Sequence, residues 1–364
     1  MRGRTVGWQV EVGAAVEPFE EAWRALAGSA HATPFQSFDL MRVFYRQLAG
    51  NGGAEPVVAL VRHADGRPAA LFPMMRSRRH GLNWLHTDAR PLDYCAPLID
   101  RSLAPAEAGS AVRAMLVAVP RADLLYVNRI PQCVGGLENP LLSLPNAARL
   151  RFSSWTLPLA GRTWDELAAA QTKRFRSNLR SYIQRLERAH DRRFAISFGT
   201  DISARDWSEF KRLRAESLSE KGRSDILGDA AWGGFYDALI RDSGTCRAWL
   251  ATLRADGRMI AGLYGFVEAG RVQVILPAML LGEWKSFSPG TQLFHETINH
   301  FYQSGADVYD LSIGDMAYKA RFGCVEGNVY DALFPKTLAG HVFYAFWRAK
   351  VKIRAKLKPI AADT

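Results

Sequence analysis

The chain repeats itself, and the repeat restricts it to a fold with two like halves. VVALVRHADGRPAALFPM begins at Val57 and WLATLRADGRMIAGLYGF at Trp249. Each reads as an apolar strand, an Asp-Gly turn and a second apolar strand, and Asp-Gly is favoured chemistry for a tight hairpin. Arg67 and Arg258 follow the two turns, Asp65-Gly66 and Asp256-Gly257. Further strand-like residues, the helical run Pro105–Val119 and the apolar strand Leu124–Val127 complete the first unit. Val272–Leu276, the helical run Thr291–Gln303 and the strand Val308–Leu311 complete the second. The units stand about 190 residues apart, too far for a solenoid. Each predicts an α+β layer, an antiparallel meander followed by a helix and another strand.

Between the units, Trp164–Ala189 reads as helical, with Phe175, Leu179, Tyr182, Ile183 and Leu186 forming an apolar stripe. Lys173, Arg174, Arg176, Arg180, Arg185 and Arg188 occupy its other faces, and Arg176 is a candidate substrate contact. Helices are also predicted over Ala204–Ser217 and Ala230–Arg241. The expected organisation is an N-terminal domain over 1–155, a second over 156–335 and an aromatic, basic tail over 336–364. In that tail Phe343, Tyr344, Phe346 and Trp347 precede six cations from Arg348 to Lys358, a composition suited to a membrane interface or to ordinary packing and solvation.

Lys and Arg number 47 against 36 Asp and Glu, a net charge of +11 that favours anionic partners. No apolar run approaches the roughly 20 residues of a membrane span. The N-terminus lacks an apolar signal core, and the four cysteines form no CxxC pair. The expectation is a cytoplasmic protein without a metal site, disulfide framework or cysteine nucleophile.

Three segments could carry chemistry. In SFSPGTQLFHETINH, Ser288 suits a helix cap, Pro289 the first turn and Gly290 a close backbone approach. A helix opening on Ser288, Gly290 and Thr291 can face an anion such as a pyrophosphate, or be an ordinary capped helix. In YDLSIGDMAYKARFG a strand runs into a turn that brings Asp310, Asp315, Tyr318, Lys319 and Arg321 together. Such carboxylates can act as bases and such cations can steady negative charge, or the group can be a salt-bridge cluster. In DARPLDYCAPLI, Asp93 and Tyr94 could line an acceptor pocket, whereas Cys95 suits a core. There is no Walker loop, GxGxxG, HExxH or GxSxG.

KRFRSNLRSYIQRLERAHDRRFAISFG, LRADGRMIAGLYGF and FSPGTQLFHETINHFYQSGADVYDLSIGDMAYKARFG together resemble the GNAT-like acyltransferases of the CelD/BcsL group, associated with cellulose and other exopolysaccharide synthesis. That group is similar in turn to the FemAB aminoacyltransferases. The resemblance covers about residues 165–335, with PFQSFDL and DYCAPLI as weaker matches. It implies two tandem GNAT-like domains, each a mixed, largely antiparallel sheet flanked by helices, the first on the acceptor side. It implies acyl-CoA, acetyl-CoA above all, as donor, with its pyrophosphate at Ser288, Gly290 and Thr291. SFSPGT departs from the family's Arg/Gln-x-x-Gly-x-Gly/Ala loop. The acceptor would be a sugar or lipid-linked sugar. FemAB proteins use aminoacyl-tRNA and carry Phe-Lys-x-x-Phe-Gly, which Tyr318–Gly323 resembles, so Lys319 would be a charge stabiliser and Asp310 or Asp315 the base. The tRNA reading would account for the basic helix. A third reading is a degenerate GNAT fold serving as a binding or regulatory subunit.

Overall fold

The computed structural model describes residues 2–5, 7–50, 53–88, 90–219, 222–230, 232–242, 244–314 and 318–357. Thirteen strands form its main path. In the first half these are β1 (Arg2–Thr5), β2 (Trp8–Gly13), β3 (Glu55–Arg62), β4 (Pro68–Arg79), β5 (Leu82–His86), β6 (Leu124–Pro131) and β7 (Ala147–Pro158). In the second they are β8 (Arg192–Phe198), β9 (Arg247–Ala255), β10 (Arg258–Glu268), β11 (Arg271–Met279), β12 (Val308–Ile313) and β13 (Val325–Pro335). The helices are α1 (Glu20–Ser29), α2 (Phe38–Gly50), α3 (Pro105–Ala118), α4 (Trp164–Ala169), α5 (Lys173–Ala189), α6 (Ala204–Ser219), α7 (Gly233–Arg241), α8 (Pro289–Gln303) and α9 (Leu338–Leu357).

Both hairpins form where the Asp-Gly pairs stand, joining β3 to β4 and β9 to β10. They differ in turn chemistry. Asp256 and Gly257 both take positive φ (50° and 80°) in a two-residue loop, whereas only Gly66 does so in the first. The expected helix Trp164–Ala189 is broken into α4 and α5, because Thr172 caps a fresh start by accepting the Phe175 N–H at 3.1 Å.

The repeat is visible in the topology. In each unit a meander is followed by a helix and then by a strand parallel to the meander's last. β5 runs parallel to β6 around α3, and β11 parallel to β12 around α8. The other pairings are antiparallel, so the fold is α+β with a mixed, mostly antiparallel sheet flanked by helices. The strand order is β1-β2-β3-β4-β5-β6-β13-β7-β12-β11-β10-β9-β8. The units therefore exchange their closing strands. β7, from the end of the first half, pairs with β12, while β13, from the end of the second, pairs with β6. The two exchanged strands also pair with each other down the middle. Residue 155, the expected border, lies inside β7, and one apolar core runs through both halves. Among the described residues no helix is long and apolar enough to cross a membrane.

Candidate active site

The site begins where a parallel pair comes apart. β11 and β12 pair over three positions only, Arg271↔Val308, Val272↔Tyr309 and Gln273↔Asp310. Past Asp310, Ser312 adopts a left-handed backbone (φ 58°), a conformation that costs a non-glycine residue about 1–3 kcal/mol unless its surroundings hold it. Here they do. The Ser312 hydroxyl donates to Val274 O at 2.6 Å and accepts from the buried Gln273 amide. Its N–H donates to Asp310 Oδ1 at 2.6 Å. A helix joining parallel strands runs back against them, so the start of α8 stands at the end where β11 and β12 separate, the usual place for a ligand crevice in such sheets.

Asp310 is the centre of this arrangement. It is 8% exposed, and the Tyr94 hydroxyl donates to its Oδ1 at 3.0 Å across 216 residues of chain. Burial pushes the carboxyl up to about 7, against the pull of the Ser312 N–H, Tyr94 and the Lys319 charge. Asp93 comes to the same place. Burial raises its carboxyl, and Arg129, whose Nη1 lies 3.4 Å from Asp93 Oδ1, opposes the shift together with Ser312 and Lys319.

Lys319 is 4% exposed and sits on a 3₁₀ turn, residues Lys319–Phe322. Its ammonium donates to Leu311 O at 2.8 Å, Ser312 O at 3.2 Å and Ile313 O at 3.1 Å. An ammonium has three N–H bonds, so all are committed to the end of β12. Lys319 clamps the separated strand and adds charge beside Asp310 and Asp93, rather than presenting a free donor. Burial lowers its pKa.

The other anticipated residues divide. Tyr318 packs its ring on Phe294 of α8, and Phe322 lies between Phe175 and Phe294, which ties the turn to α5 and α8. Arg321 is exposed. Asp315 lies outside the described residues. The Arg176 hydrogen bonds go to the carbonyls of Ala168 and Gln171, closing the end of α4 rather than reaching the Asp310 cluster. At the start of α8, Ser288 holds the cap position in a left-handed conformation, and its hydroxyl pairs with that of Thr291 at 2.8 Å instead of capping the backbone. The close approach at Gly290 is to Met279, because a Cβ there would stand 2.6 Å from its sulfur. The first turn of α8 carries no acidic residue. Arg185, from α5, donates to Ser286 O at 2.7 Å beside it.

Sequence reading missed Gln273, Ser312, Arg129 and Trp155. The Trp155 indole holds Gly314 O at 2.9 Å and fixes the chain where it leaves β12. Only Ser312 left a trace, in its i+2 relation to Asp310. All four cysteines are free and have raised pKa values, Cys95 and Cys324 at about 12, so none is an activated thiolate. Among the described residues no group of His, Cys, Asp and Glu is placed to hold a metal ion.

A buried carboxyl that titrates near neutrality, with no activated thiol beside it, suits a base that deprotonates an attacking acceptor. Residues 173–320 match the acetyltransferase (GNAT) domain family, and the protein is an acyltransferase. No curated protein matches the sequence. Among solved structures the fold is similar to FemX, at 12% identity and TM-score 0.62, over 89% of this chain and 98% of that one. It is also similar to L-PGS from Bacillus licheniformis, at 13% identity and TM-score 0.53, over 90% and 96%. A C-terminal domain assigned to lysylphosphatidylglycerol synthetase in Agrobacterium fabrum matches at 14% identity and TM-score 0.53, over 91% and 95%.

Proposed function

We propose that the protein transfers an acyl group from acyl-CoA, most simply acetyl-CoA, to an amine or hydroxyl of a sugar or amino-sugar intermediate of exopolysaccharide or cell-envelope synthesis. The observation that carries this reading is Asp310, a buried carboxyl near pKa 7 held by a tyrosine from the other half of the molecule. The acceptor nitrogen or oxygen attacks the thioester carbon and gives its proton to Asp310. The tetrahedral intermediate then collapses, the C–S bond breaks and CoA leaves as its thiolate. Tyr94 orients the base, and Lys319 keeps positive charge near the developing oxyanion. Asp93 lines the acceptor side. The donor pyrophosphate would lie at the start of α8 near Ser288, Gly290 and Thr291, where the first turn is free of acid and Arg185 adds a cation. The CelD/BcsL resemblance supports the choice of acceptor.

A second reading keeps the base and changes the donor to an aminoacyl-tRNA ester. It is favoured by α5, where Lys173, Arg174, Arg180 and Arg188 are exposed and no acid pairs with them among the described residues. The likeness to FemX points the same way.

Calorimetric titration with acetyl-CoA and with bulk charged tRNA separates the two. Acetyl-CoA binding that Thr291→Glu weakens supports the first. Binding of charged tRNA alone, weakened by neutralising Arg174 and Arg180, moves the assignment to the second. Binding of neither overturns both. Mass spectrometry of envelope polysaccharide from a deletion strain then identifies the acyl group and acceptor.

A further inference from the structure

The C-terminal helix has two apolar faces, and the protein covers only one. Gly340, Phe343 and Tyr344, at i, i+3 and i+4, form the inner face, with Trp347 at its far edge stacked on Tyr344 and 42% exposed. A Cβ at Gly340 would stand 2.1 Å from Asp123 O, so α9 begins in backbone contact with the turn before β6. The Phe343 ring meets Trp84 edge-on at 5.4 Å, and Phe343 and Tyr344 join Leu124 and Leu333 in a small separate core. Leu338, Val342 and Phe346, at i, i+4, i+8, form the outer face and are 83%, 66% and 78% exposed.

A further exposed aliphatic, Val117 at 74%, lies beside the start of this helix. Lys336 reaches across to donate to Leu116 O at 3.2 Å, which fixes the neighbourhood. A cavity of about 780 Å³ opens there, lined by Arg113, Arg121 and Lys336 around Leu116, Val117 and Phe334. Onward from Phe346, α9 carries Arg348, Lys350, Lys352, Arg354 and Lys356 and no acid. Half-buried anchors on one side, an open aliphatic and aromatic stripe on the other and the cations Arg348, Arg113, Arg121 and Lys336 make a surface complementary to an anionic, apolar plane.

We propose that this face, made of Leu338, Val342, Phe346 and Val117 with the cations around them, docks on an anionic lipid bilayer. The stripe enters the headgroup boundary, and Arg348 and the cations of the Arg113–Arg121–Lys336 cavity meet lipid phosphates. The protein needs no membrane span for this, since α9 lies along the surface while its inner face stays seated on the sheet. This inference is independent of the acyl donor and acceptor.

The test is sedimentation of the full chain with phosphatidylglycerol/phosphatidylcholine vesicles and with phosphatidylcholine alone. The protein should pellet with the anionic vesicles at low salt and be released by high salt. The triple variant Leu338→Ser, Val342→Ser, Phe346→Ser should bind about tenfold less, because the apolar half of a two-part anchor is gone. Its urea midpoint should match the wild type, because these side chains are exposed. Absence of pelleting in the wild type, or equal pelleting of the triple variant, overturns the proposal. So does a wild-type dimer in sedimentation equilibrium that the triple variant abolishes, since the stripe would then be covered by a second copy.

Discussion

The two units share one plan and differ at two places. In the first, the helix that joins the parallel strands is closed by its own acid, with Glu107 Oε2 accepting the Ala104 N–H at 2.9 Å. In the second, α8 opens on Ser288, Pro289, Gly290 and Thr291 with no acid in its first turn. At the third parallel pair the first unit has His86 opposite Tyr126, and the second has Gln273 opposite Asp310. His86 is buried and driven down to about 4, so it is neutral, and Tyr126 donates to Asp331 at 2.9 Å. The first unit has thus closed the positions that the second leaves open. Two like units offer two parallel-strand ends, and on the proposed reading the charges at the helix start and strand end decide which one takes an anion and moves a proton.

The strongest way to break this comparison is to exchange the chemistry at the third pair. Asp310→Asn should lower turnover by about 10²–10⁴-fold, whereas Tyr126→Phe in the first unit should leave it unchanged. The wild-type rate should rise with pH to about 7 and then level, because the base works as its carboxylate. Full turnover in Asp310→Asn places the base elsewhere.

The same substitution reports on stability, with opposite sign. The Asp310 carboxyl is raised from 3.8 to about 7, so its stabilising contribution is complete below pH 3.8 and lost as pH rises through 7. Above pH 7 the wild type holds a buried carboxylate that Asn removes, a gain of up to about 4 kcal/mol for the variant. Urea midpoints at pH 5 and pH 8 should show the variant's advantage widening at pH 8; a constant gap rejects the raised value.

The cation beside the third pair is Arg79 in the first unit, its guanidinium 3.2 Å from His86 Nε2, and Lys319 in the second. Lys319→Met strips three carbonyls, two of them buried, of their donor and should cost about 3 kcal/mol in urea unfolding. It should also move the pH profile upward, because the cation that lowers Asp310 is gone. An unchanged profile would leave Lys319 a clamp alone.

The smallest effects lie at the helix starts. Giving α8 the first unit's acid, by Thr291→Glu, should weaken the anionic donor about tenfold by calorimetry while leaving the helix intact. Glu107→Gln should cost about 1 kcal/mol or less in thermal unfolding and leave turnover unchanged. Equal donor affinity in Thr291→Glu moves the donor away from α8.

Local chemistry was legible and long-range pairing was not. The Asp-Gly turns, the periodicity of α3 and α8 and the apolar strands around them are written within a few residues of one another, and they formed close to the expected bounds. Asp310 and Tyr94 were each visible as polar residues in telling places, but nothing in either segment specifies the 3.0 Å bond between them. That bond follows from the strand exchange, and the exchange depends on which edge each strand finds in three dimensions. Lys319 and Arg176 illustrate the same limit. A cation's type is read from sequence, but the carbonyls that occupy its N–H groups are a property of the folded chain. The left-handed turn at Ser312 had no glycine to announce it.

The exchanged strands also set a timetable. β6 is complete when Pro131 has been made, yet its partner β13 pairs Val329 with Pro131, about 200 residues later. At about 5–20 residues per second, a ribosome leaves that edge unpaired for roughly 10–40 s. Until then the nascent first half carries an open strand edge of the kind that recruits other chains. A product terminated before Val325 would expose the facing edges of β6 and β7 together, so truncated translation products of this protein should be aggregation-prone even though most of both cores has been made.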